Sequence, residues 1–476
     1  MRMNRRGFLL GSASAVLCTG VSPVAGVDGE GRELPAPPPG SDCVSDLMRR
    51  CTACNLCIAR CPSNVLRAAG LGYGLGGVMM PRMDFTHGFC RPDCNECGKA
   101  CPAGAIRPFR PFEKKEMRQA VAVYRKTECL VAKEGLACGN CAAHCPYGAI
   151  AMVKDGDGRS YPKVDPSKCA GCGACEYHCP VKAIRVVGRW KEPPVAVSER
   201  DVRDVPRIRS YRDSGYLFCN VGSNTGVMGF DWAGSGVRGV NLATGPQALR
   251  QGFQILEWFA PRLARGCAVV IPICPFSSVL PHYEDAASQF KIYPFARPNE
   301  IPYWSPARAR AVEAAVGKAQ AEWDARGGAP VAGTDASVSA EGFRKSVESL
   351  LACWRRQFGI RDFNAPLTPR NRRAFAETVP IMREGLEMCV RNGWRPVVVL
   401  PPISRYYDGV FKPVFWKTYV TDFMAVANST GAPYWDYGAD ERFRGDGNFA
   451  NSLMLNRKGR TLFTAEIVRR IREELT

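Results

Sequence analysis

The carboxy-terminal half of the chain alternates short apolar runs with longer amphipathic stretches. Five apolar runs are typical of buried strands: YLFCNV (216–221), VRGVNLA (237–243), CAVVIPI (267–273), PVVVLPPI (396–403) and PYWDY (433–437). Helical patterns lie around them at 246–263, 307–325, 340–358, 370–392, 413–429 and 460–475. This alternation predicts a mostly parallel sheet with helices on both faces, an α/β/α three-layer domain. The Gly- and Ala-rich stretch 326–340 is predicted to be a flexible surface excursion.

The rest of the chain divides by composition into shorter segments. A Pro-rich spacer with the sequence ELPAPPPG lies within 31–42, and a cysteine-rich region fills 43–190. A charged, Pro-containing linker at 191–212 separates that region from the α/β region at 213–476. With 476 residues the chain is long enough for two or three domains. The predicted fold class is therefore α+β multidomain.

The cysteine content changes this picture most. Sixteen of the 23 cysteines lie between Cys51 and Cys179. They form four runs, each of three cysteines, a fourth cysteine after a gap of three residues, and then a proline: Cys51, Cys54, Cys57 and Cys61; Cys90, Cys94, Cys97 and Cys101; Cys129, Cys138, Cys141 and Cys145; Cys169, Cys172, Cys175 and Cys179. The first and fourth runs have the spacing of the bacterial ferredoxin ligand pattern, whereas the second and third widen the first gap to three and eight residues.

The spacing has a chemical reason. Three thiolates in a tight loop reach three iron atoms of one [4Fe–4S] cluster, and the fourth, turned away by its proline, ligates a neighbouring cluster. We therefore predict a bacterial-ferredoxin-like domain in which the sixteen cysteines are the iron ligands of four [4Fe–4S] clusters. Zinc sites usually pair ligands across a longer loop, and closely spaced cysteines cannot all find acceptable disulfide partners. Adjacent runs could share clusters, or the first run could pair with the fourth and the second with the third.

Other residues near the runs are predicted to have supporting roles. The Ala-Ile pairs that follow the prolines are predicted to keep water off the clusters, and His144 and His178 are predicted to pack nearby rather than bind iron. Six further cysteines lack a ligand spacing and are predicted to be buried thiols: Cys43, Cys219, Cys267, Cys274, Cys353 and Cys389.

The formal net charge of +19 does not by itself predict a nucleic-acid partner. Beyond the amino terminus there is no dense Lys/Arg run, and no nucleic-acid-binding motif accompanies the charge. Four thiolate-ligated clusters at about −2 each would offset about 8 of the positive charges. The remaining excess favours an acidic redox partner or an anionic membrane surface.

The amino terminus predicts export. In MRMNRRGFLLGSASAVLCTG, Arg5 and Arg6 are followed by Phe8 and a short apolar stretch, which resembles a twin-arginine signal over residues 1–30. A protein whose clusters are assembled in the cytosol must cross the membrane already folded. We therefore expect a periplasmic location, with membrane association if the signal stays uncleaved.

The cysteine-rich region also resembles a known family. Residues 45–190, including CTACNLCIARCPSNVL and GYGLGGVMMPRMDFTHGFCRPDCNECGKACPAGAI, are similar to exported polyferredoxins of the NapG/MauM ferredoxin-type kind. The resemblance is carried by the sixteen cysteines. It implies electron transfer in the periplasm with a redox partner protein, often a membrane quinol dehydrogenase.

The α/β region resembles the SGNH/GDSL hydrolase superfamily through NVGSNTGVMGFD, NLATGPQ, VVIPI, VVVLPPIS and LNRKG. In that family the serine stands two residues after the glycine of the first turn, where this chain has Asn224, and Ser223 comes one residue early. The family's closing D-x-x-H positions fall on Asn451 and Met454, and no histidine follows His282. A Ser–His mechanism needs an imidazole base, so no catalytic residues are predicted.

Three hypotheses follow. The first is an exported electron-transfer protein with four clusters and a degenerate hydrolase-like domain that docks a partner or binds a ligand. The second is a redox-linked esterase or acyltransferase that acts on envelope polysaccharide through Ser223. The third is a binding module whose clusters are only structural.

Overall fold

A computed structural model of the protein describes residues 33–280, 286–328 and 338–475. The predicted export signal at 1–30, His282 and most of the predicted excursion at 326–340 lie outside the described residues. The chain divides into two compact units: Met1–Val195 with Pro302–Ala307, and Ala196–Ile301 with Arg308–Thr476. Within the described ranges, no helix has both the length and the apolar character that crossing a membrane requires.

The first unit is built from short helices and two-stranded antiparallel sheets. Its helices are Val44–Arg50, Leu56–Ala59, Glu96–Ala100, Leu130–Lys133, Asn140–Ala143 and Ala174–His178. Its strands pair as β1 (Leu66–Ala68) with β2 (Pro81–Met83), β3 (Ala120–Tyr124) with β6 (Ile184–Gly188), and β4 (Ile150–Lys154) with β5 (Ser160–Val164). Turns of 3₁₀ helix lie at Gly70–Tyr73, Leu75–Gly77, Pro111–Glu116 and Lys126–Glu128. Because such short elements bury little apolar surface, the cysteine loops form much of the core.

The same backbone turn follows all four cysteine runs. The third residue after the last cysteine of each run is left-handed, with φ of 52°, 63°, 60° and 53° at Asn64, Gly104, Gly148 and Lys182. A second position requires glycine: Gly173 has φ of 82°, and a Cβ there would lie 2.0 Å from the ring of Phe85. In the third run the eight-residue first gap contains the helical turn Leu130–Lys133.

The second unit contains one five-stranded parallel sheet. A strand forms at each of the five predicted places: β7 (Tyr216–Asn220), β8 (Gly239–Asn241), β9 (Leu263–Pro272), β10 (Arg395–Leu400) and β11 (Tyr434–Asp436). The strands lie side by side in the order β8-β7-β9-β10-β11, and every neighbouring pair is parallel. Numbered along the chain, this is the 2-1-3-4-5 order of a doubly wound sheet.

Helices cover both faces of this sheet. The helices of the second unit are Glu199–Val202, Val205–Ser210, Asn224–Gly229, Leu249–Phe259, Pro306–Ala325, Ala340–Phe358, Pro369–Arg391, Pro413–Trp416, Asp422–Ala427 and Arg457–Glu474, with a π turn at Lys417–Thr421. On one face, Val397 and Val399 of β10 pack with Phe463 of the last helix. Since alternate strand residues point to opposite faces, Cys219 and Cys267 lie on the other face, beside Cys389 of helix Pro369–Arg391.

The prediction of six buried thiols is confirmed for four, holds in part for Cys274 and is wrong for Cys353. Cys274 is partly exposed and Cys353 is exposed, whereas the others are buried: Cys43, Cys219, Cys267 and Cys389. Cys353 lies on helix Ala340–Phe358, whose buried residues include Val347 and Leu351. Position 353 falls outside the stripe that these residues define, so its thiol faces solvent.

Candidate metal centres

Four cavities in the first unit are each lined by four cysteines. We number each cavity by the run that supplies three of its cysteines. Cavity 1 is lined by Cys51, Cys54, Cys57 and Cys101, cavity 2 by Cys90, Cys94, Cys97 and Cys61, cavity 3 by Cys129, Cys138, Cys141 and Cys179, and cavity 4 by Cys169, Cys172, Cys175 and Cys145. The structure therefore places all sixteen predicted site residues in four sets of four.

Adjacent runs contribute to the same pair of cavities. Cavities 1 and 2 exchange their fourth cysteines, Cys101 and Cys61, and cavities 3 and 4 exchange Cys179 and Cys145. Of the two arrangements that the sequence left open, the structure has the adjacent one. Each last cysteine follows the end of a short helix, so it points away from the other three of its run.

Apolar side chains cover one wall of each cavity. The predicted cover by Ala-Ile pairs is found in three cavities, and Val65 and Leu66 take the equivalent place in cavity 2. The pairs are Ala105 and Ile106 in cavity 1, Ala183 and Ile184 in cavity 3, and Ala149 and Ile150 in cavity 4. All of these side chains are buried, which gives the thiols a low-dielectric surrounding.

Backbone amides donate hydrogen bonds to several of the sulfur atoms. In three runs an amide four or five residues after the last cysteine donates to its Sγ: Ile106 to Cys101 at 3.4 Å, Ala149 to Cys145 at 3.2 Å and Ala183 to Cys179 at 3.3 Å. In cavity 1 the Ala53 amide donates to Cys51 Sγ at 3.3 Å. Hydrogen bonds to sulfur stabilise negative charge there and help to set the potentials of iron–sulfur clusters.

Burial makes several of these thiols hard to ionise. Burial is the largest cause that raises the pKa of Cys57 and Cys172 to about 12 and that of Cys141 to about 11, and neighbouring cysteines add to it. Four thiolates in one apolar cavity therefore need a compensating cation, and binding it displaces protons.

The donor sets fit [4Fe–4S] clusters better than single metal ions. Each cavity offers four thiols and an apolar lining, which are the surroundings of a thiolate-ligated cluster. Among the described residues, no three Cys, His, Asp or Glu side chains are placed to hold one metal ion. A cube of four iron atoms keeps its thiolates further apart than a single ion does.

Two polar side chains near the sulfurs were not predicted. The ammonium group of Lys114 donates to Cys90 Sγ at 3.2 Å, although the two residues are 24 positions apart. Tyr147 lines cavity 4, and its buried hydroxyl has no nitrogen or oxygen partner in the described part of the chain. Its place two residues after Cys145 was a signal that sequence reasoning could have used. His144 and His178 stack with ring centroids 3.8 Å apart, and neither ring lines one of the four cavities.

Side chains at the positions where the sequence resembles a hydrolase form local hydrogen bonds. Ser223 Oγ accepts the backbone N–H of Gln247 at 3.0 Å, and Asn224 is the first residue of helix Asn224–Gly229. The side-chain oxygen of Asn451 accepts the N–H groups of Leu453 and Met454, each at 2.9 Å. An amide side chain cannot act as the acid or the base of a Ser–His mechanism.

Comparison with known proteins defines the class of the first unit. Residues 89–149 and 136–183 both match the family described as a 4Fe-4S dicluster domain. The protein therefore contains a ferredoxin-type iron–sulfur region. The matched ranges span the second, third and fourth cysteine runs.

Similar proteins narrow the class to a family. The chain is 35% identical over 168 residues to the methylamine utilization ferredoxin-type protein MauM of Methylobacillus flagellatus, a match that covers 32% of this chain and 70% of that protein. It is 29% identical over 141 residues to the ferredoxin-type protein NapF of Escherichia coli, covering 24% of this chain and 81% of NapF. It is 30% identical over 112 residues to NapG of the same organism, covering 23% of this chain and 47% of NapG. The chain belongs to the ferredoxin-type family of MauM, through about a third of its length.

Proposed function

We propose that this protein is an exported electron-transfer protein that holds four [4Fe–4S] clusters, one in each cavity. The observation that carries the proposal is the grouping of sixteen cysteines into four sets of four. The family match and the electron-transfer class of the relatives support it.

The residues of the chain would hold, insulate and tune the bound clusters. Each cluster, when bound, supplies a site that accepts and releases one electron. The cysteines fix four thiolate ligands per cavity, and the buried Ala-Ile pairs exclude water. Backbone amides such as those of Ala149 and Ala183 place positive dipole ends against the sulfurs. Adjacent cavities share runs, so an electron has a short path between them.

We propose that the protein works in the periplasm with a redox partner, of which a membrane quinol dehydrogenase is one candidate. The twin-arginine-like residues Arg5 and Arg6 support export. Membrane association would follow if the signal stays uncleaved.

We propose that the second unit is an SGNH-like scaffold without catalysis, used for docking or binding. Its parallel sheet with helices on both faces is the α/β/α layout predicted for this region from the sequence. The hydrogen bond that Ser223 Oγ accepts and the Asn451 turn favour a structural role for both residues. No specific observation favours the esterase hypothesis.

Iron and sulfide analysis of the anaerobically purified full-length chain tests the proposal. We expect about sixteen iron atoms per chain and EPR signals of reduced [4Fe–4S] clusters after dithionite treatment. Cys94→Ser should remove or alter one cluster, whereas Cys353→Ser changes an exposed thiol and should leave the iron content unchanged. About eight iron atoms would overturn the count of four, and an iron-free protein would overturn the function.

A further inference from the structure

Lys114 is a buried cation held against an iron-ligand position. It lies in the 3₁₀ turn Pro111–Glu116, and only 3% of the residue is exposed. Its Nζ donates to the backbone carbonyl of Arg91 at 2.6 Å and to Cys90 Sγ at 3.2 Å. Lys114 lines cavity 2, and its Nζ lies 5.8 Å from the ring centre of Phe109.

The buried ammonium group of Lys114 is stabilised if Cys90 is a thiolate. A buried ammonium group is costly unless it is paired, and the carbonyl of Arg91 is neutral. In the described residues no carboxylate forms an ion pair with Lys114. A thiolate at Cys90 supplies the missing charge when cavity 2 holds a ligated cluster.

Cys90 also links cavity 2 to cavity 4. Its backbone N–H donates to the carbonyl of Cys172 at 2.9 Å, so a residue of each set is in direct contact. Since cavities 1 and 2 share runs, as do 3 and 4, the four sites form a line in the order 1-2-4-3. Lys114 therefore lies next to the contact between cavities 2 and 4, the middle pair in this order.

We propose that Lys114 raises the reduction potential of the cluster in cavity 2 above the value that the same cavity would give without this charge. The inference rests on the proposed function, since it requires that the cavities hold clusters. One-electron reduction takes a thiolate-ligated cluster from about −2 to about −3, and a cation in contact with a ligand stabilises the more negative form. Lys114 is a positioning residue in this role, since it acts through Cys90.

A redox titration of the full-length, cluster-loaded protein tests this role. Lys114→Met keeps an unbranched side chain and removes the charge. We expect the equilibrium constant for reduction of one cluster to fall about tenfold or more, which is a potential lower by about 59 mV per tenfold for one electron. The other three clusters should keep their potentials. The shifted EPR component should be the one that Cys94→Ser removes, and Lys114→Arg should retain most of the wild-type potential.

Lys99→Met is the matched control. Lys99 lies on helix Glu96–Ala100 beside the same cysteine run, is exposed and pairs with Glu96 at 2.7 Å, so its loss removes one charge without touching a sulfur. Equal shifts in the two variants, or no shift in Lys114→Met, would overturn the inference while leaving the iron content of the wild type as it is. If Lys114→Met fails to retain iron, Lys114→Gln, which can still donate to the Arg91 carbonyl, replaces it with the same expected shift.

Discussion

In the first unit cysteines belong to the core in sets of four around cavities, whereas in the second unit Cys219, Cys267 and Cys389 are packed as ordinary buried thiols. The two units also differ in the length of their strands and the size of their sheets. Those of the first unit have three to five residues and pair only in twos, while β9 runs for ten residues at the centre of a five-stranded sheet.

The two cores differ in the interactions that stabilise them. In the second unit Val269, Val270 and Val398 are fully buried, and apolar packing on two faces suffices to hold the sheet. In the first unit the core includes Cys57 and Cys97, whose thiols line cavities 1 and 2 and are predicted to bind iron. We infer that the first unit depends on its clusters for stability and that the second does not.

Removal of iron should have the largest effect. We expect chelation under denaturant-free conditions to unfold the first unit and to leave the second folded, because metal-binding energy in such sites is folding energy. Limited proteolysis should then digest the described residues before Val195 and spare a core from Ala196 onward. Digestion of both units together, or of neither, would contradict the comparison. The loaded protein under the same protease is the control.

Truncation of a large core side chain in the second unit should destabilise that unit and leave the first unit unaffected. Phe276 is 1% exposed, stacks on Phe358 with ring centroids 4.9 Å apart, and meets Phe415 edge to face with ring centroids 5.4 Å apart. Phe276→Ala should cost about 3–5 kcal/mol of the free energy of unfolding of this unit and leave the iron content unchanged. Denaturant titration by circular dichroism measures the loss. Leu217→Ala, at a half-exposed side chain of β7, is the control and should change stability little.

Alkaline pH should weaken the second unit by a smaller amount. Burial, with a contribution from Cys267, raises the pKa of Cys389 from 9.0 to about 12. Between these values the unfolded chain has lost the proton and the folded chain keeps it, so stability falls as pH rises, by about 1.4 kcal/mol per pH unit. Cys389→Ala should reduce the difference between unfolding midpoints at pH 8 and pH 10. Cys353→Ala removes an exposed thiol and should leave this difference between midpoints as large as in the wild type.

Ser223→Ala should have the smallest effect. The variant loses one hydrogen bond, from the Gln247 amide, which is worth about 0.5–1.5 kcal/mol. Neither the wild type nor the variant should hydrolyse an acetyl ester above the background rate. Turnover that disappears in Ser223→Ala would instead support the esterase hypothesis.

Much of the second unit could be predicted from sequence because its signals are local. The helix predicted at 340–358 is observed as Ala340–Phe358. The helix predicted at 246–263 ends early at Phe259 because Leu263 pairs with Tyr216 and begins β9. The helix predicted at 413–429 is interrupted by the π turn Lys417–Thr421. Both departures depend on contacts that a single stretch of sequence does not contain.

The sequence could predict those features of the site that depend on residues close together in the chain. Spacing brings three thiols of a run together, so the ligand residues followed from the sequence. The partner of each fourth cysteine depends on how two loops pack, and the sequence left it open between adjacent and nested runs. Lys114 reaches Cys90 across 24 residues through a separate 3₁₀ turn, and no pattern near either residue signals the contact.

The first unit consists of two separate segments of the chain, and this affects any attempt to express it as a fragment. Pro302–Ala307 belongs to that unit although it is encoded more than a hundred codons after Val195. The Tyr303 amide donates to the carboxylate of Glu113, and Ser305 Oγ donates to Glu192 at 2.8 Å. A fragment cloned to stop at Val195 would lose both bonds, one of them next to Lys114. A stand-alone version therefore needs this hexapeptide restored, by a short graft or by supplying it in trans.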